Sequence, residues 1–190
     1  MNRRYALGSM VAAAAAVPLL KGQGSQVEDW VKWWENSKAY TLAIAEAMPA
    51  GDYNYVPFKN GDADAVRSFG GTMQHIGQAE GFYLGRFGKN GAAPQPPTLA
   101  GGGATKGKGP NYDMSKEATV KYLNELFTWS VGVVKQLTAE DLTKSFGNGK
   151  QPAMTGLDLL LNAMVHTAHT RGYADMYLRN KNVVPPTYKV

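Results

Sequence analysis

Residues 155–181 read TGLDLLLNAMVHTAHTRGYADMYLRNK, and this stretch decides the fold. Apolar residues recur along it at the spacings of a helix, at Leu157, Leu160, Leu161, Met164, Ala168 and Met176. Thr155, followed three residues later by Asp158, is a variant of the capping box that begins a helix. The Pro185-Pro186 pair follows its end. The stretch is therefore predicted to be one long helix.

Three further stretches show the same three-and-four spacing of apolar residues, at 26–48, 65–87 and 115–137. Ser25 and Ser115 are suited to cap the first and third of these helices at their N-termini. Pro49 is expected to end the first, and Gly88 the second. A short turn is expected at 138–141.

The connection at 88–113 contains four prolines and a run of three glycines, which predicts a long irregular loop. No stretch shows the strict alternation of apolar and polar residues that is typical of a strand. The sequence thus predicts an all-α protein, a four-helix bundle with a long loop between helices 2 and 3.

The second helix carries glycines at 70, 71, 77, 81 and 85. Each lowers intrinsic helix stability by up to about 1 kcal/mol relative to alanine. Packing against neighbours has to hold such a helix, and glycine lets a neighbour approach closely. We therefore expect this helix to be tightly packed.

The N-terminal residues 1–24 are interpreted as an export signal. Arg3 and Arg4 precede an apolar run that extends to Leu20, and the small-x-small triplet Gly22-Gln23-Gly24 follows. The paired arginines resemble a twin-arginine signal. The run is too short and too weakly apolar to predict a membrane span. Residues 25–190 would then be the bundle domain, periplasmic or extracellular; the alternative is a disordered or uncleaved N-terminal helix.

Composition excludes several functions. The chain has no cysteine, so disulfides, thiolate metal ligands and cysteine nucleophiles are ruled out. The formal charge of +5 includes Arg3, Arg4 and Lys21; the remainder has 17 basic and 15 acidic residues, or +2. These basic residues are spread along the chain rather than gathered on one face, so nucleic acid is not an expected partner.

Histidine occurs three times, at His75, His166 and His169. Imidazoles three or four residues apart on one helix point to the same side, and a third from a facing helix can complete a three-ligand face. With no thiolate available, any metal must rest on nitrogen and oxygen ligands. His75, His166 and His169 are therefore the candidate ligands of a divalent metal ion.

Several short motifs together resemble the DinB-like family of bacterial four-helix bundles over most of the chain from Trp30 to Pro186. These motifs are Met48-Pro49-Ala50 with Tyr53-Asn54-Tyr55 and Pro57, Arg67-Ser68-Phe69-Gly70 with Met73 and His75-Ile76, His166-Thr167-Ala168-His169 with Arg171-Gly172, Tyr177-Leu178-Arg179, and Val184-Pro185-Pro186.

The resemblance implies a bundle that holds nickel or zinc on one histidine of helix 2 and two histidines of helix 4 at an i, i+4 spacing. His75 matches the first of these ligands and His166 the second. The third falls on Thr170, whose hydroxyl is a poor ligand for either metal. Two ways to complete the shell are open: His169 itself, or water together with a carboxylate such as Glu80; otherwise the metal site is incomplete and vestigial.

Two functions are compatible with these residues, and the sequence does not decide whether the protein is an enzyme. The first is a bundle that binds a metal ion or a small molecule and forms a homodimer through an apolar helix face. The alternative is a metal-dependent transferase or isomerase acting with a small thiol or activated water, as the resemblance implies.

Overall fold

The computed structural model describes residues 16–57, 67–99, 111–147 and 153–189. In these ranges the chain forms the helices α1 (Ala16–Ala47), α2 (Phe69–Leu84), α3 (Lys116–Lys135), α4 (Ala139–Thr143) and α5 (Gly156–Asn180). Short 3-10 turns lie at Ala50–Asp52 and Gly85–Phe87. Two strands, β1 (Ser145–Phe146) and β2 (Met154–Thr155), pair antiparallel.

The four long helices form the predicted bundle. α2 packs against both α3 and α5, and α1 packs mainly against α3. α1 and α5 meet less closely. A single core of apolar side chains fills the space between the helices, with Ile44, Phe69, Leu123 and Leu160 fully buried. The prediction of an all-α four-helix bundle is confirmed.

The helix starts follow local capping signals. The Ser115 hydroxyl accepts from the Ala118 N–H at 3.4 Å, as predicted. At α5 the Thr155 hydroxyl accepts from the Asp158 N–H at 3.1 Å, while the Asp158 carboxylate accepts from the Thr155 N–H at 2.9 Å. This reciprocal pair is a complete capping box. Ser68, which the sequence analysis did not identify, caps α2.

The structure describes α1 from Ala16 onward, and residues 1–15 lie outside the described part of the chain. Ser25 therefore lies inside the helix and does not cap it. Gly22 and Gly24, just upstream, have low helix propensity but keep the backbone N–H groups that a proline lacks, so they do not end the helix before Ser25. Within the described ranges, no helix combines the length and the apolar character needed to cross a membrane.

The strands β1 and β2 were not expected. Each has only two residues, which is too short to show an alternating pattern in the sequence. They join α4 to α5, and the Gly156 N–H donates to the Lys144 carbonyl at 3.0 Å. A side chain at Gly156 would collide with the Asp141 backbone, so this junction requires glycine.

The long loop between α2 and α3 is fastened at both of its described ends. The Asn90 side chain donates to the Trp129 carbonyl at 3.0 Å, and the Leu99 N–H donates to the Asn111 carbonyl at 3.0 Å. Residues 100–110 lie outside the described part of the chain. The loop thus leaves α2 and rejoins α3 along fixed paths.

Glycines on α2 allow α3 to approach, as expected. A Cβ built at Gly77 would lie 2.6 Å from the Tyr122 ring, and one at Gly70 would lie 2.6 Å from the Met114 carbonyl oxygen. Any side chain at either position would have to displace its neighbour. The packing of α2 therefore offsets the low helix propensity of its glycines.

The buried side of α5 differs from the apolar pattern of its sequence. Leu160 is buried, but Leu157, Leu161 and Met176 are 42%, 44% and 55% exposed. Thr167, Thr170 and Arg171 share the buried side with apolar residues such as Leu159 and Leu178. Apolar residues therefore lie on both sides of α5 and do not by themselves mark its core face, because polar contacts with α1 and α2 help to decide how the helix is rotated.

Candidate metal centre

The packing of α2 on α5 brings two of the three histidines together. His75 on α2 and His166 on α5 are both half-buried. Their ring centroids lie 4.9 Å apart, with the ring planes at 71°. The two side chains come from different helices, so the tertiary fold rather than local sequence places them side by side.

This separation suits two nitrogen ligands of one ion. Zinc binds imidazole nitrogen at about 2.0–2.1 Å, which places each ring centroid about 3.2 Å from the ion. At a tetrahedral angle the two centroids would then lie about 5 Å apart. The observed 4.9 Å agrees with that value. The separation of the His75 and His166 rings is therefore compatible with a shared divalent ion.

Both rings are in the protonation state that metal binding needs. Burial, together with smaller contributions from the charges of Arg67 and His166, lowers the pKa of His75 to about 4, although a hydrogen bond with Gln78 acts in the opposite direction. Burial also lowers the pKa of His166, with contributions from His169 and Arg67. The imidazoles are thus neutral at pH 7 and offer lone pairs.

The Nδ1 atom of His166 is buried without a hydrogen-bond partner in the described structure. An unsatisfied buried polar atom costs free energy. In metal sites, one ring nitrogen binds the ion and the other is usually hydrogen-bonded. A buried imidazole nitrogen that no protein group satisfies is therefore consistent with a ligand position at His166.

His169 lies outside this pair. It is exposed, and its ring contacts Tyr173 on the same helix at 4.8 Å between centroids. Across the described ranges, no group of three or more His, Cys, Asp or Glu side chains is arranged to hold an ion. The structure brings His75 and His166 together but does not bring His169 to them, so the three-histidine site stays a prediction. Thr170 is buried.

Glu80, the carboxylate expected to complete the metal shell together with water, contacts Trp34 and Thr167 instead. It is fully buried, and its two oxygens accept from Trp34 Nε1 at 3.0 Å and from Thr167 Oγ1 at 2.9 Å. Burial raises its pKa to about 7, although these two hydrogen bonds lower it. Glu80 thus ties α1 and α5 to α2. The sequence indicates the special position of Glu80, because it is the single acidic residue in the glycine-rich helix α2.

Arg171 is a second buried ionisable residue, and its structural role was not predicted from the sequence. Its guanidinium donates to the Ser37 carbonyl at 3.2 Å, the Ser37 hydroxyl at 2.9 Å and the Thr41 hydroxyl at 3.2 Å. It also lies over the rings of Tyr40 and Tyr188, at 5.1 and 5.9 Å from their centroids. Arg171 therefore joins α5 to α1 where few apolar contacts do so.

Comparison with known proteins supports the bundle. A family model described as the DinB superfamily matches residues 34–174. A DinB-like protein from Bacillus subtilis is 20% identical, with a TM-score of 0.60 over 85% of this chain and 98% of that one. A DinB-like protein from Bacillus cereus is 16% identical, with a TM-score of 0.63 over 85% and 97%. At these identities the solved structures show a shared fold alone. No curated protein matches the chain.

Proposed function

The chain belongs to the DinB superfamily, and on that premise we propose that it is an exported bundle that binds a divalent metal ion, nickel or zinc, through His75 and His166. The observation that carries the proposal is the pair of neutral imidazoles whose centroids lie 4.9 Å apart on facing helices. The buried, unpartnered Nδ1 of His166 supports it.

Two protein ligands leave the ion incompletely coordinated. A tetrahedral ion held by His75 and His166 keeps two positions for water or a small molecule. A bound ion would supply a Lewis acid that polarises that molecule. Thr170 is buried at the position where the resemblance implies a third histidine, so metal affinity is expected to be modest.

Binding is favoured over catalysis by the position of Glu80. A transferase of this type needs a group that moves protons near the ion. Both oxygens of the Glu80 carboxyl already accept hydrogen bonds from Trp34 and Thr167. The contacts of Glu80 therefore hold α1, α2 and α5 together. The proposed partner is a small ligand that binds through the metal ion.

The proposal is tested by titrating zinc and nickel separately into tag-free protein in a calorimeter. We expect one ion per chain, and at least a tenfold loss of affinity in His75→Ala and in His166→Ala, because each removes one of two protein ligands. Thr170→His should raise affinity at least tenfold by supplying a third nitrogen.

His169→Ala is the matched control on the same helix, and it should bind as tightly as the wild-type chain. Unchanged binding in His75→Ala would overturn the proposal. A loss in His169→Ala equal to that in His166→Ala would replace the two-histidine site by the three-histidine one.

Export is a separate part of the proposal and rests on residues 1–24. It is tested by expressing the full chain in a bacterium and determining the N-terminus of the product by mass spectrometry. We expect a periplasmic product that begins close to Ser25. A product that keeps Met1 and stays in the cytoplasmic fraction would contradict export.

A further inference from the structure

The outward side of α5 is apolar, whereas the solvated side of a bundle helix is usually polar. Val165 is 66% exposed and Met176 is 55% exposed. We call the exposed small and apolar residues of this side the outer stripe; they are Leu157, Leu161, Val165, Ala168, Gly172 and Met176. A Cβ built at Gly172 would meet no atom within 4 Å, so the stripe is open along its middle.

The outer stripe is continuous along the helix. Its members follow one another at intervals of three or four residues, the spacing that lines residues up on one face. From Leu157 to Met176 the stripe extends about 28 Å, at about 1.5 Å per residue. It lies opposite the buried Ala163, Thr167 and Ala174, which face the core. A contiguous apolar strip of this length on a soluble domain marks an interaction surface.

We propose that the outer stripe is the interface of a homodimer, in which two copies of α5 pack antiparallel about a two-fold axis that passes between Ala168 and His169. A two-fold interface has to be complementary to itself. With the axis at this point, Leu161 of one copy faces Met176 of the other, and Val165 faces Gly172. Val165 of each copy thus meets the open position at Gly172 of its mate, and Leu161 packs against Met176.

Charge favours a second copy in this orientation. Asp158 lies near the start of α5 and Arg179 near its end, and both are exposed. Hydrogen bonds from Thr155 lower the pKa of Asp158, so it is ionised at pH 7. Antiparallel packing places Asp158 of each copy near Arg179 of the other. Parallel packing would bring like charges together, and it would also align the two helix dipoles unfavourably.

The first test measures the mass of the full chain in solution by size-exclusion chromatography with light scattering. We expect twice the chain mass for the wild type. Val165→Asp should raise the dissociation constant at least about 30-fold, because a central interface residue contributes about 2 kcal/mol or more. Asn124→Asp, at an exposed position on α3, should leave the dimer intact.

The second test determines the relative orientation of the two α5 helices in the dimer, and it does not depend on a variant that weakens the dimer. The chain has no cysteine, so single cysteines report without interference. Ala168→Cys lies next to the proposed axis and should form a disulfide-linked dimer under mild oxidation. In Leu157→Cys the two positions would be more than about 30 Å apart, far beyond the roughly 7 Å limit of a disulfide between Cα atoms, so no cross-link is expected.

Three results would overturn the proposal. One is a wild-type chain that remains monomeric at high micromolar concentration, which would leave the outer stripe to a different protein or to a membrane surface. Another is a dimer that Val165→Asp leaves intact and Asn124→Asp disrupts, which would place the interface on α3. The last is cross-linking through Leu157→Cys without cross-linking through Ala168→Cys.

Discussion

Replacing Glu80 by glutamine should make the bundle more stable at alkaline pH. The Glu80 carboxyl is fully buried and accepts hydrogen bonds from Trp34 and Thr167. Glutamine has the same shape, and its amide can accept from Trp34 and donate to the Thr167 hydroxyl, which is both a donor and an acceptor. The substitution thus removes the ionisable group while it keeps both contacts.

The magnitude follows from the pKa of Glu80, which burial raises from 4.5 to about 7. Because the folded state holds this proton more tightly than the unfolded state, the contribution of Glu80 to stability is highest below pH 4.5 and declines as the pH rises, until it levels off above about pH 7. At about 1.4 kcal/mol per pH unit, ionisation of Glu80 costs roughly 3 kcal/mol. Between pH 5 and pH 8 the advantage of Glu80→Gln should grow by about 2 to 3 kcal/mol.

The assay is urea unfolding of both proteins at several values between pH 5 and pH 8, followed by circular dichroism. The difference between the two free energies of unfolding is the quantity to plot. His75, whose pKa is lowered to about 4, contributes the opposite slope, because its stability is lost as the pH falls below 6.5. That contribution is common to both proteins and cancels in the difference. Glu117→Gln, at an exposed carboxyl on α3, is the matched control. A difference for Glu80→Gln that stays flat from pH 5 to pH 8 would refute the reasoning.

Three further predictions concern the packing. Gly77→Ala should destabilise the fold by about 1–3 kcal/mol through collision with Tyr122, whereas Gly85→Ala, which meets no atom within 4 Å, should be neutral or stabilising in the same urea titration. Trp34→Phe removes a hydrogen bond to Glu80, which is ionised at pH 8 and protonated at pH 5, so the loss of unfolding free energy should be about 1–3 kcal/mol larger at pH 8 than at pH 5. An equal loss at the two pH values would contradict this prediction. Thr155→Ala should cost about 1 kcal/mol of unfolding free energy by removing the α5 cap, and retention of full stability would show that the capping box is dispensable.

The bundle could be predicted from the sequence because its signals are local. Ser115 and Thr155 cap helices through neighbours three residues away, and apolar periodicity is visible within each helix. The course of α1 could not be read in this way, because Ser25 is by type a good N-cap residue, yet the helix continues upstream of it through Gly22 and Gly24. The pairing of β1 with β2 could not be predicted either, because a strand of two residues is too short to show an alternating pattern.

The rotation of α5 could not be predicted, and the reason lies in distant polar contacts. Arg171 faces inward because Ser37 and Thr41, about 130 residues earlier, accept its hydrogen bonds. Thr167 faces inward because Glu80 accepts its hydroxyl. None of these partners can be recognised from α5 alone. The closeness of His75 and His166 was expected, whereas the exposure of His169 follows from the same rotation.

Arg171 on α5 and Tyr188 in the segment after α5 both contact α1, and so join the first and last described helices. During synthesis, α1, α2 and α3 emerge from the ribosome well before α5, and domains generally fold as units. Ser37 and Thr41 lack the hydrogen bonds of Arg171 until α5 has emerged. Closure of the bundle thus waits for the synthesis of α5. A chain that terminates before residue 171 would keep Trp34 and Glu80 open to water and would be a ready substrate for cellular proteases.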